Sequence, residues 1–486
     1  MKIYKILAGS LLLLGLASCN NENGNDDNNK NDIKNPAYAQ FSLVMANTQN
    51  QAKASTSTSD GGTNIGTTEE QTVQNVTIIF SNVEGTVQYD TTFNVNNLTS
   101  GGVTSDQEIV YTTPVFEVEE GEYTVYACVN KPSSFNPATP ETDLVSAGDR
   151  GTITDGIAKD NNFMMTTSME NARANVILKK TVNTENNPLP ISLNVDRTAA
   201  KISYNTAKTN RSFTFEVTNA TTGVAIGNVP TTLTAMNIAN RNMTSYAFGR
   251  KDGEYVKDPN FDQTDVTDLY AGTTFDDKQD LITGQNPEYP YFYCLENTDK
   301  EGKAEKFYTG IFFQAKHEPD NSVWCTTATG VTLTGTPSVN GTFYRFGRLL
   351  FANKTDMINY YTKYGDQNAL QAVTDLLEGS DENGYEFLTK CETLRDTYHI
   401  DVYYEGHSYY LATIGHTGNG SAATAPYAMQ YGVVRNTWYQ VGVNDISGLG
   451  SVVPESTDEP VDPEDANIQV EILINPWNVV INDFDL

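Results

Sequence analysis

Residues 468–486, IQVEILINPWNVVINDFDL, carry the clearest strand pattern in the chain. Apolar and polar side chains alternate with a period of two, which is typical of a half-buried β-strand. Fully extended, such a stretch reaches about 63 Å, whereas an ordinary strand has about 5 to 6 residues. The apolar positions, with Trp477 beside the proline, are Ile468, Val470, Ile472, Ile474, Val480, Phe484 and Leu486.

Residues 447–467, which precede this arm, are rich in proline and acidic residues and predict an extended tether. We therefore expect the arm to lie outside its own domains and to pair with another chain, because an unpaired strand edge accepts a further strand. Pro476 cannot donate to a ladder, so it predicts a break between residues 468–475 and 477–486. The two pieces would fill two grooves, or two parts of one groove.

The N-terminus has the pattern of a bacterial lipoprotein. Residues 1–19 begin with Lys2 and Lys5 and continue into an apolar stretch at 6–16, which predicts a secretory signal peptide. That stretch is shorter than the about 20 residues that span a bilayer. The Leu-Ala-Ser-Cys ending resembles a lipobox, with cleavage between Ser18 and Cys19 and a lipid on Cys19. The only predicted membrane contact is this precursor lipid.

Residues 20–53 predict a propeptide made of a polar spacer and a removable strand. The strand is the alternating stretch with apolar residues Ala37, Ala39, Phe41, Leu43 and Met45. Lys53 follows it as the only basic residue between Lys34 and Lys131. Exposed loops are preferred cleavage sites, so we expect a trypsin-like protease to cut between Lys53 and Ala54. The alternative is an ordinary solvated lysine.

Composition favours an acidic, mostly β protein. The 486 residues include 31 Lys and Arg, 61 Asp and Glu, 27 Tyr and 20 Phe, with a net charge of −30. Removing residues 1–53 takes away five basic and four acidic residues and leaves −31. Such a field repels phosphate backbones, which argues against a nucleic-acid partner.

The strand patterns predict two antiparallel β-sandwich domains, at 54–193 and 194–446. A hairpin is expected around Glu119–Glu122, and helical spacing predicts helices at 357–364, 368–378 and 385–398, inserted in the second domain. The predicted strands cover 71–83, 85–95, 108–130, 174–182, 191–207, 212–222, 306–316, 399–415 and 432–445.

Catalytic chemistry has little support, and we predict no enzyme, cofactor or metal site. The sequence contains no GxSxG, P-loop, GxGxxG or HExxH motif. We interpret the histidines as surface residues and residues 380–384, SDENG, as a turn. The cysteines after Cys19 are compatible with a disulfide, for example Cys294 with Cys325, or with buried free thiols; they are Cys128, Cys294, Cys325 and Cys391.

Three features in order resemble one family. They are the lipobox with the strand and Lys53 after it, the motif VDRTAAKISY at 195–204, and VVRNTWYQVGV at 433–443 with the acidic tether and NPW ending. Together they resemble the type V pilus fimbrillins of Bacteroidales, most of all the major subunit of short (minor) fimbriae. An alternative is a surface glycan-binding lipoprotein, which would use exposed tryptophans among Trp324, Trp438 and Trp477.

The resemblance implies two transthyretin-like sandwiches and a precursor carried as a lipoprotein to the outer membrane. Proteolysis would remove the N-terminal strand, and the C-terminal arm of a neighbour would enter as a donor strand. Implied partners are copies of the chain, anchor and tip or accessory subunits, the trypsin-like protease, and host or bacterial receptors in adhesion and biofilm formation. Related oral proteins are cut after arginine, whereas Lys53 stands here.

Overall fold

The structure is a computed structural model. It describes residues 33, 35–45, 64–103, 109–154, 156–204, 211–219, 222–253, 255–263, 266, 268–270, 272, 279–281, 291–299, 305–378, 384–416, 431–454 and 467–478. The predicted fold class is confirmed, because the chain is mostly β with its three longer helices in the second half. Several predicted sites lie outside the described residues, namely Ser18, Cys19, Lys53, Ala54, Val480, Phe484 and Leu486.

The elements follow one another along the chain. The first are β1 (Pro36–Met45), β2 (Asn64–Ile65), α1 (Thr68–Gln71), β3 (Asn75–Ser81), β4 (Val87–Asn94), β5 (Thr99–Val103), β6 (Ile109–Thr112), β7 (Phe116–Glu119), β8 (Gly121–Val129), β9 (Leu144–Ser146), β10 (Ala158–Lys159), β11 (Asn162–Phe163), β12 (Met165–Thr166), β13 (Arg173–Leu178) and β14 (Leu189–Arg197). Next come β15 (Ala200–Tyr204), β16 (Ser212–Thr218), β17 (Ala225–Ala239), β18 (Arg241–Asn242), β19 (Thr244–Tyr246), β20 (Arg250–Asp252), β21 (Tyr255–Lys257), β22 (Leu269–Tyr270), β23 (Gln279–Asp280), β24 (Tyr291–Cys294) and β25 (Gly310–His317). The last are β26 (Phe343–Phe346), β27 (Leu349–Phe351), α2 (Lys354–Tyr364), α3 (Leu370–Glu378), α4 (Gly384–Tyr398), β28 (Ile400–Tyr403), β29 (His407–Thr413), β30 (Thr437–Ile446) and β31 (Ile468–Asn478). Single 3-10 turns lie at Val95–Asn97, Asp149–Gly151, Glu305–Phe307, Asn321–Val323 and Tyr404–Gly406.

The N-terminal sandwich is built from one hydrogen-bonded path of strands, β4-β3-β8-β12-β14-β1-β6-β5, with β13 on β8 and β7 on β1. The path folds over at β12 and β14, so that β1 and β7 face β3 across a common core. Rings meet there: Phe80 lies 5.8 Å from Phe41 and 6.5 Å from Phe116, both edge-on. These aromatic contacts hold the two layers together.

The hairpin predicted around Glu119–Glu122 is wrong. Although β7 and β8 are separated by Glu120 alone, β7 pairs with β1, and β8 pairs with β3, β12 and β13. The chain therefore crosses at Glu120 from the layer that contains β7 to the layer that contains β8. Val118 of β7 and Tyr123 of β8 both bury their side chains in the core between these layers. Sequence spacing alone does not distinguish such a corner from a tight hairpin.

The boundary predicted between residues 193 and 194 falls inside β14, which continues to Arg197. The chain enters the second sandwich at Ala200, where β15 begins. The two domains also share backbone pairing, because β9 and β19 form a small sheet across the junction. Ala247 and Phe248, from the second half of the chain, are buried in the N-terminal core.

The C-terminal sandwich packs the sheet β2-β31-β30-β15-β24 against the sheet β16-β17-β25-β29, which also carries β23. Tyr204 and Phe313 bring their rings within 6.2 Å across this core. The long strand β17 was not predicted from sequence, because its Gly and Thr residues and Pro230 obscure the apolar alternation.

The three predicted helices are confirmed as α2, α3 and α4. With the sheet β27-β26-β28 they form a unit with a core of its own. This unit is inserted between β25 and β29, which are direct neighbours in the C-terminal sandwich. Within the described part of the chain, no helix combines the length and the apolar character needed to cross a membrane.

Candidate assembly sites

The predicted removable strand lies in the middle of the N-terminal sheet as β1. It runs parallel to β14, from Ala39 opposite Leu189 to Met45 opposite Val195, and antiparallel to β6 and β7 on its other edge. The predicted alternation is confirmed, because five of its side chains are at most 1% exposed; these are Ala37, Ala39, Phe41, Leu43 and Met45. The strand is therefore part of the core.

Backbone contacts fix β1 beyond its two ladders. Phe41 N–H donates to the Thr113 hydroxyl at 3.0 Å, and Thr113 N–H donates to the Phe41 carbonyl at 2.9 Å. Tyr38 N–H donates to the Asn183 carbonyl at 3.0 Å. Burying Phe41, Leu43 and Met45 contributes roughly 5–9 kcal/mol in total. Loss of β1 would thus open an apolar groove between β14 and the strands β6 and β7.

The expectation that the C-terminal arm lies outside its own domains is wrong for residues 468–478. These residues form β31, which pairs antiparallel with β30 of the same chain, from Ile446 opposite Ile468 to Thr437 opposite Pro476. Ile468 is 5% exposed, and Val470 and Ile472 pack against the same core. The arm pairs with a strand of its own chain. The alternating sequence pattern is the same for this pairing and for pairing with a neighbouring chain, so it could not distinguish the two.

Two further expectations about the arm need correction. No break occurs at Pro476, since β31 continues through Trp477 to Asn478; a proline fits a strand wherever its nitrogen faces away from the neighbouring strand. The first part of the predicted tether is also not loose. Val452 and Val453 are buried against the helical unit, and Ser451 exchanges backbone hydrogen bonds with Tyr409. Residues 455–466 lie outside the described part.

The residue motifs noted in the sequence meet at one place, the junction between the two domains. Lys201 of β15 lies opposite Trp438 of β30, and Trp438 lies opposite Asn475 of the arm. The ammonium of Lys201 is 4.3 Å from the Trp438 ring centroid, a cation–π contact. Asn436 donates to Asp196 at 3.0 Å, which links the end of β14 to the start of β30.

Glu70 of α1 is the acid at this junction. Its side chain is buried, and one carboxylate oxygen lies 2.5 Å from the Lys201 ammonium and accepts from the Tyr293 hydroxyl at 2.5 Å. The other oxygen accepts from the Thr67 N–H at 2.8 Å, as in a capping box. Arg197 at the end of β14 donates to the Glu70 backbone carbonyl at 3.1 Å.

Electrostatics keep this acid ionised. Burial by itself raises the pKa of Glu70, but the nearby Lys201 ammonium, the Tyr293 hydroxyl and the Arg197 guanidinium outweigh it and lower the pKa overall. Burial lowers the pKa of Arg197 to about 10, and it remains a cation at neutral pH. Burial, followed by the Glu70 charge, raises the pKa of Tyr293. Removing one partner of such a buried ion pair destabilises the protein strongly, because the other charge stays buried without compensation.

Sequence reasoning missed Glu70 and the short strand β2 that precedes it. The available signal was the pattern Thr67-x-x-Glu70, a capping box ahead of a strand. A single helical turn is too short to show helical periodicity in the sequence. The ion pair of Glu70 with Lys201 joins residues that are distant in sequence. Nothing in the local pattern indicated that partner.

The residues considered for other chemistry occupy structural positions. Trp324 is buried, and Trp438 packs on Lys201, so neither offers an exposed platform for a sugar. The surface interpretation of the histidines is wrong for His317, which is buried between the Thr231 and Ser408 hydroxyls. Among the residues that the structure describes, no three His, Cys, Asp or Glu side chains are grouped to hold a metal ion.

The four cysteines after Cys19 are free thiols, so the example pairing of Cys294 with Cys325 is wrong. Cys128, Cys294 and Cys391 are buried, and Cys325 is half-buried. Burial raises the pKa of Cys128 and of Cys294 to about 12, which keeps these thiols neutral. They act as small core residues.

The C-terminal part of the chain decides its relationship to known proteins. Residues 401–483 match the family model described as "Major fimbrial subunit protein type IV, Fimbrillin, C-terminal". The C-terminal region of the chain is therefore of the fimbrillin type. The match extends from β28 through β31, and so contains the motif at 433–443 and residues 468–483 of the arm. This match supports a fimbrial subunit at the cell surface.

Solved structures resemble this chain over most of its length. One is a fimbrilin (FimA) from Porphyromonas gingivalis W83, with 15% identity, a TM-score of 0.42, and 92% of this chain and 99% of that chain covered. Another is a candidate cell adhesion protein from Parabacteroides distasonis ATCC 8503, with 12% identity, a TM-score of 0.45, and 92% and 99% covered. The tip fimbrial protein Mfa3 from Porphyromonas gingivalis has 12% identity, a TM-score of 0.36, and 90% and 100% covered. No curated protein matches the sequence.

Proposed function

We propose that this fimbrillin is a shaft subunit that polymerises by exchange of strands, in the manner of type V pili and of the major subunit of short fimbriae. The precursor travels to the outer membrane as a lipoprotein with its lipid on Cys19. A trypsin-like protease cuts between Lys53 and Ala54, and β1 leaves the N-terminal sheet. The arm of a neighbouring copy then takes its place.

The observation that carries the proposal is the burial of β1 in the middle of its sheet. A ten-residue strand with five buried apolar side chains leaves an apolar groove that is costly to expose to water. The strand β31 has eleven residues with apolar side chains at alternate positions, so it fits that groove in length and in pattern. Ile468, Val470 and Ile472 would replace side chains of β1.

The proposal requires β31 to leave its own sheet. Its antiparallel ladder with β30 is exchanged for ladders on both edges of the vacated groove, to β14 and to β6 and β7. In its own sheet β31 pairs with β30 along its length, and with β2 only at Trp477 and Asn478. A strand inside the groove makes hydrogen bonds along both edges, so the exchange favours the inserted position. The polymer would then join with anchor and tip subunits and serve adhesion and biofilm formation.

The experiment is a deletion of residues 468–486. Cleaved wild-type protein should give a ladder of multimers on a partly denaturing gel. The protein that lacks these residues should be cleaved and remain monomeric. A multimer ladder from the deleted protein would refute the donor role of the arm.

A further inference from the structure

The segment Asn64–Gln71, named here the clasp, connects the two ends of the assembly mechanism. It comprises β2 and α1, and it follows the stretch in which Lys53 lies. Its strand β2 runs parallel to the arm, with Asn64 opposite Trp477 and Ile65 opposite Asn478. At this end the arm has a strand on each side, β30 and β2.

The clasp is anchored away from the arm as well. Glu70 is 1% exposed and is held by Lys201 of β15 and Tyr293 of β24, which are strands of the same sheet as the arm. The guanidinium of Arg197 fixes the backbone of α1 at the Glu70 carbonyl. The clasp therefore cannot follow the arm when the arm moves, unless a buried ion pair opens.

The position of the clasp matters for how the arm can leave. The end of β31 near the tether is held by Ser447 N–H, which donates to the Asn467 carbonyl at 3.0 Å, and by the Asn467 amide, which donates to the Leu449 carbonyl at 2.9 Å. If β31 separates from β30 starting at its opposite end, the backbone hydrogen bonds of the ladder break one after another. The clasp pairs with that opposite end, at Trp477 and Asn478.

We propose that residues 64–71 hold the arm in its own sheet, and that Glu70 is the positioning residue that keeps them there. The inference rests on the donor role proposed above for the arm. A cut after Lys53 separates β1 from the clasp and leaves the clasp on the arm. The cleaved subunit thus keeps its arm in place until a neighbour's groove competes for it, which protects free subunits from premature association.

The test compares two proline variants of the purified unprocessed chain. The double variant Asn64→Pro with Ile65→Pro removes both N–H groups of β2. The control Thr68→Pro makes the same chemical change at the first position of α1, where proline is tolerated after the extended Thr67. The measurement is amide hydrogen exchange of residues 468–478, with β17 as an internal standard of global folding.

The double variant should exchange residues 468–478 roughly ten-fold faster than wild type, with β17 unchanged. Thr68→Pro should match wild type, and Glu70→Gln should resemble the double variant. Equal exchange of residues 468–478 in wild type and the double variant would refute the clasp. It would leave the donor role of the arm intact, since that role is tested separately by deletion of the arm.

A locked variant covers the case in which the prolines disturb folding. Asn64→Cys with Trp477→Cys, in a Cys325→Ser background, places two cysteines opposite each other, at a spacing that a disulfide can bridge. After cleavage, the oxidised protein should stay monomeric, and a reductant should restore the multimer ladder. The Cys325→Ser background protein should polymerise under both conditions. Equal polymerisation of the oxidised and reduced locked variant would contradict the clasp.

Discussion

The rings of Phe41 and Phe80 lie 5.8 Å apart and meet at 87°, one on the strand upstream of Lys53 and the other on the opposite layer of the same core. A strand that the sequence predicts to be discarded therefore contributes a central aromatic side chain to its domain. Its loss exposes the core of that domain unless another strand supplies apolar side chains to the same groove.

Fibre subunits should begin at Ala54. Lys53 is the isolated basic residue downstream of β1, so it is the one site at which a trypsin-like protease would free the strand without cutting the folded domain. N-terminal sequencing of purified fibres measures this. Lys53→Ala should abolish polymerisation, whereas Lys53→Arg should preserve it with a protease that accepts either residue. A fibre subunit that begins at Cys19 would contradict the prediction.

The lipid on Cys19 should be needed to deliver the subunit to the cell surface and should be absent from mature fibres. Cys19→Ala should block lipoprotein processing and lower the amount of subunit at the cell surface, because the acyl chains provide the membrane anchor. Mature fibres should carry no acyl chains, since cleavage after Lys53 discards residue 19. Mass spectrometry of the fibre subunit would reveal retained lipid, which would count against this maturation route.

The two faces of the arm should differ sharply in their tolerance of charge. Ile468 is buried and its neighbour Gln469 is exposed. Ile468→Asp should therefore lower the free energy of unfolding of the monomer by about 3 kcal/mol, because it buries an unpaired charge. The control Gln469→Asp, with the same new charge one residue along, should change it by less than about 0.5 kcal/mol. Equal effects in chemical denaturation would mean that β31 does not pack as described.

Acid should weaken the C-terminal sandwich through His317. Burial, followed by the nearby His407 charge, lowers the pKa of His317 to about 3, against an ordinary pKa of about 6.5 in the unfolded chain. The unfolded state binds the extra proton between these values, so the stability is full above pH 6.5 and falls as the pH drops towards 3. At pH 4.5 the loss is about 3 kcal/mol.

The variant His317→Gln removes the titrating ring while keeping a side chain that can hydrogen-bond to Thr231 and Ser408. Unfolding free energies between pH 7 and 4.5 should fall less steeply for this variant than for wild type. An identical pH dependence in the two proteins would show that the acid sensitivity of the domain comes from other groups.

Sequence patterns predicted the elements better than their partners. The alternation in β1 and β31 and the spacing in α2, α3 and α4 are local, so they could be identified directly. The corner at Glu120 and the pairing of β31 with β30 depend on which surfaces meet in three dimensions. Glu70 illustrates the limit, because its partner Lys201 follows 131 residues later and only the folded junction brings the two together.

A mixing experiment tests the exchange of strands most directly. One protein carries Lys53→Ala and keeps β1, so it has an arm but no open groove. The other lacks residues 468–486 and is cleaved, so it has a groove but no arm. Each alone should remain monomeric, and together they should form a one-to-one dimer that resists partial denaturation and contains the arm of the first in the groove of the second. If the mixture stays monomeric while cleaved wild-type protein polymerises, the arm of one subunit does not fill the groove of the next.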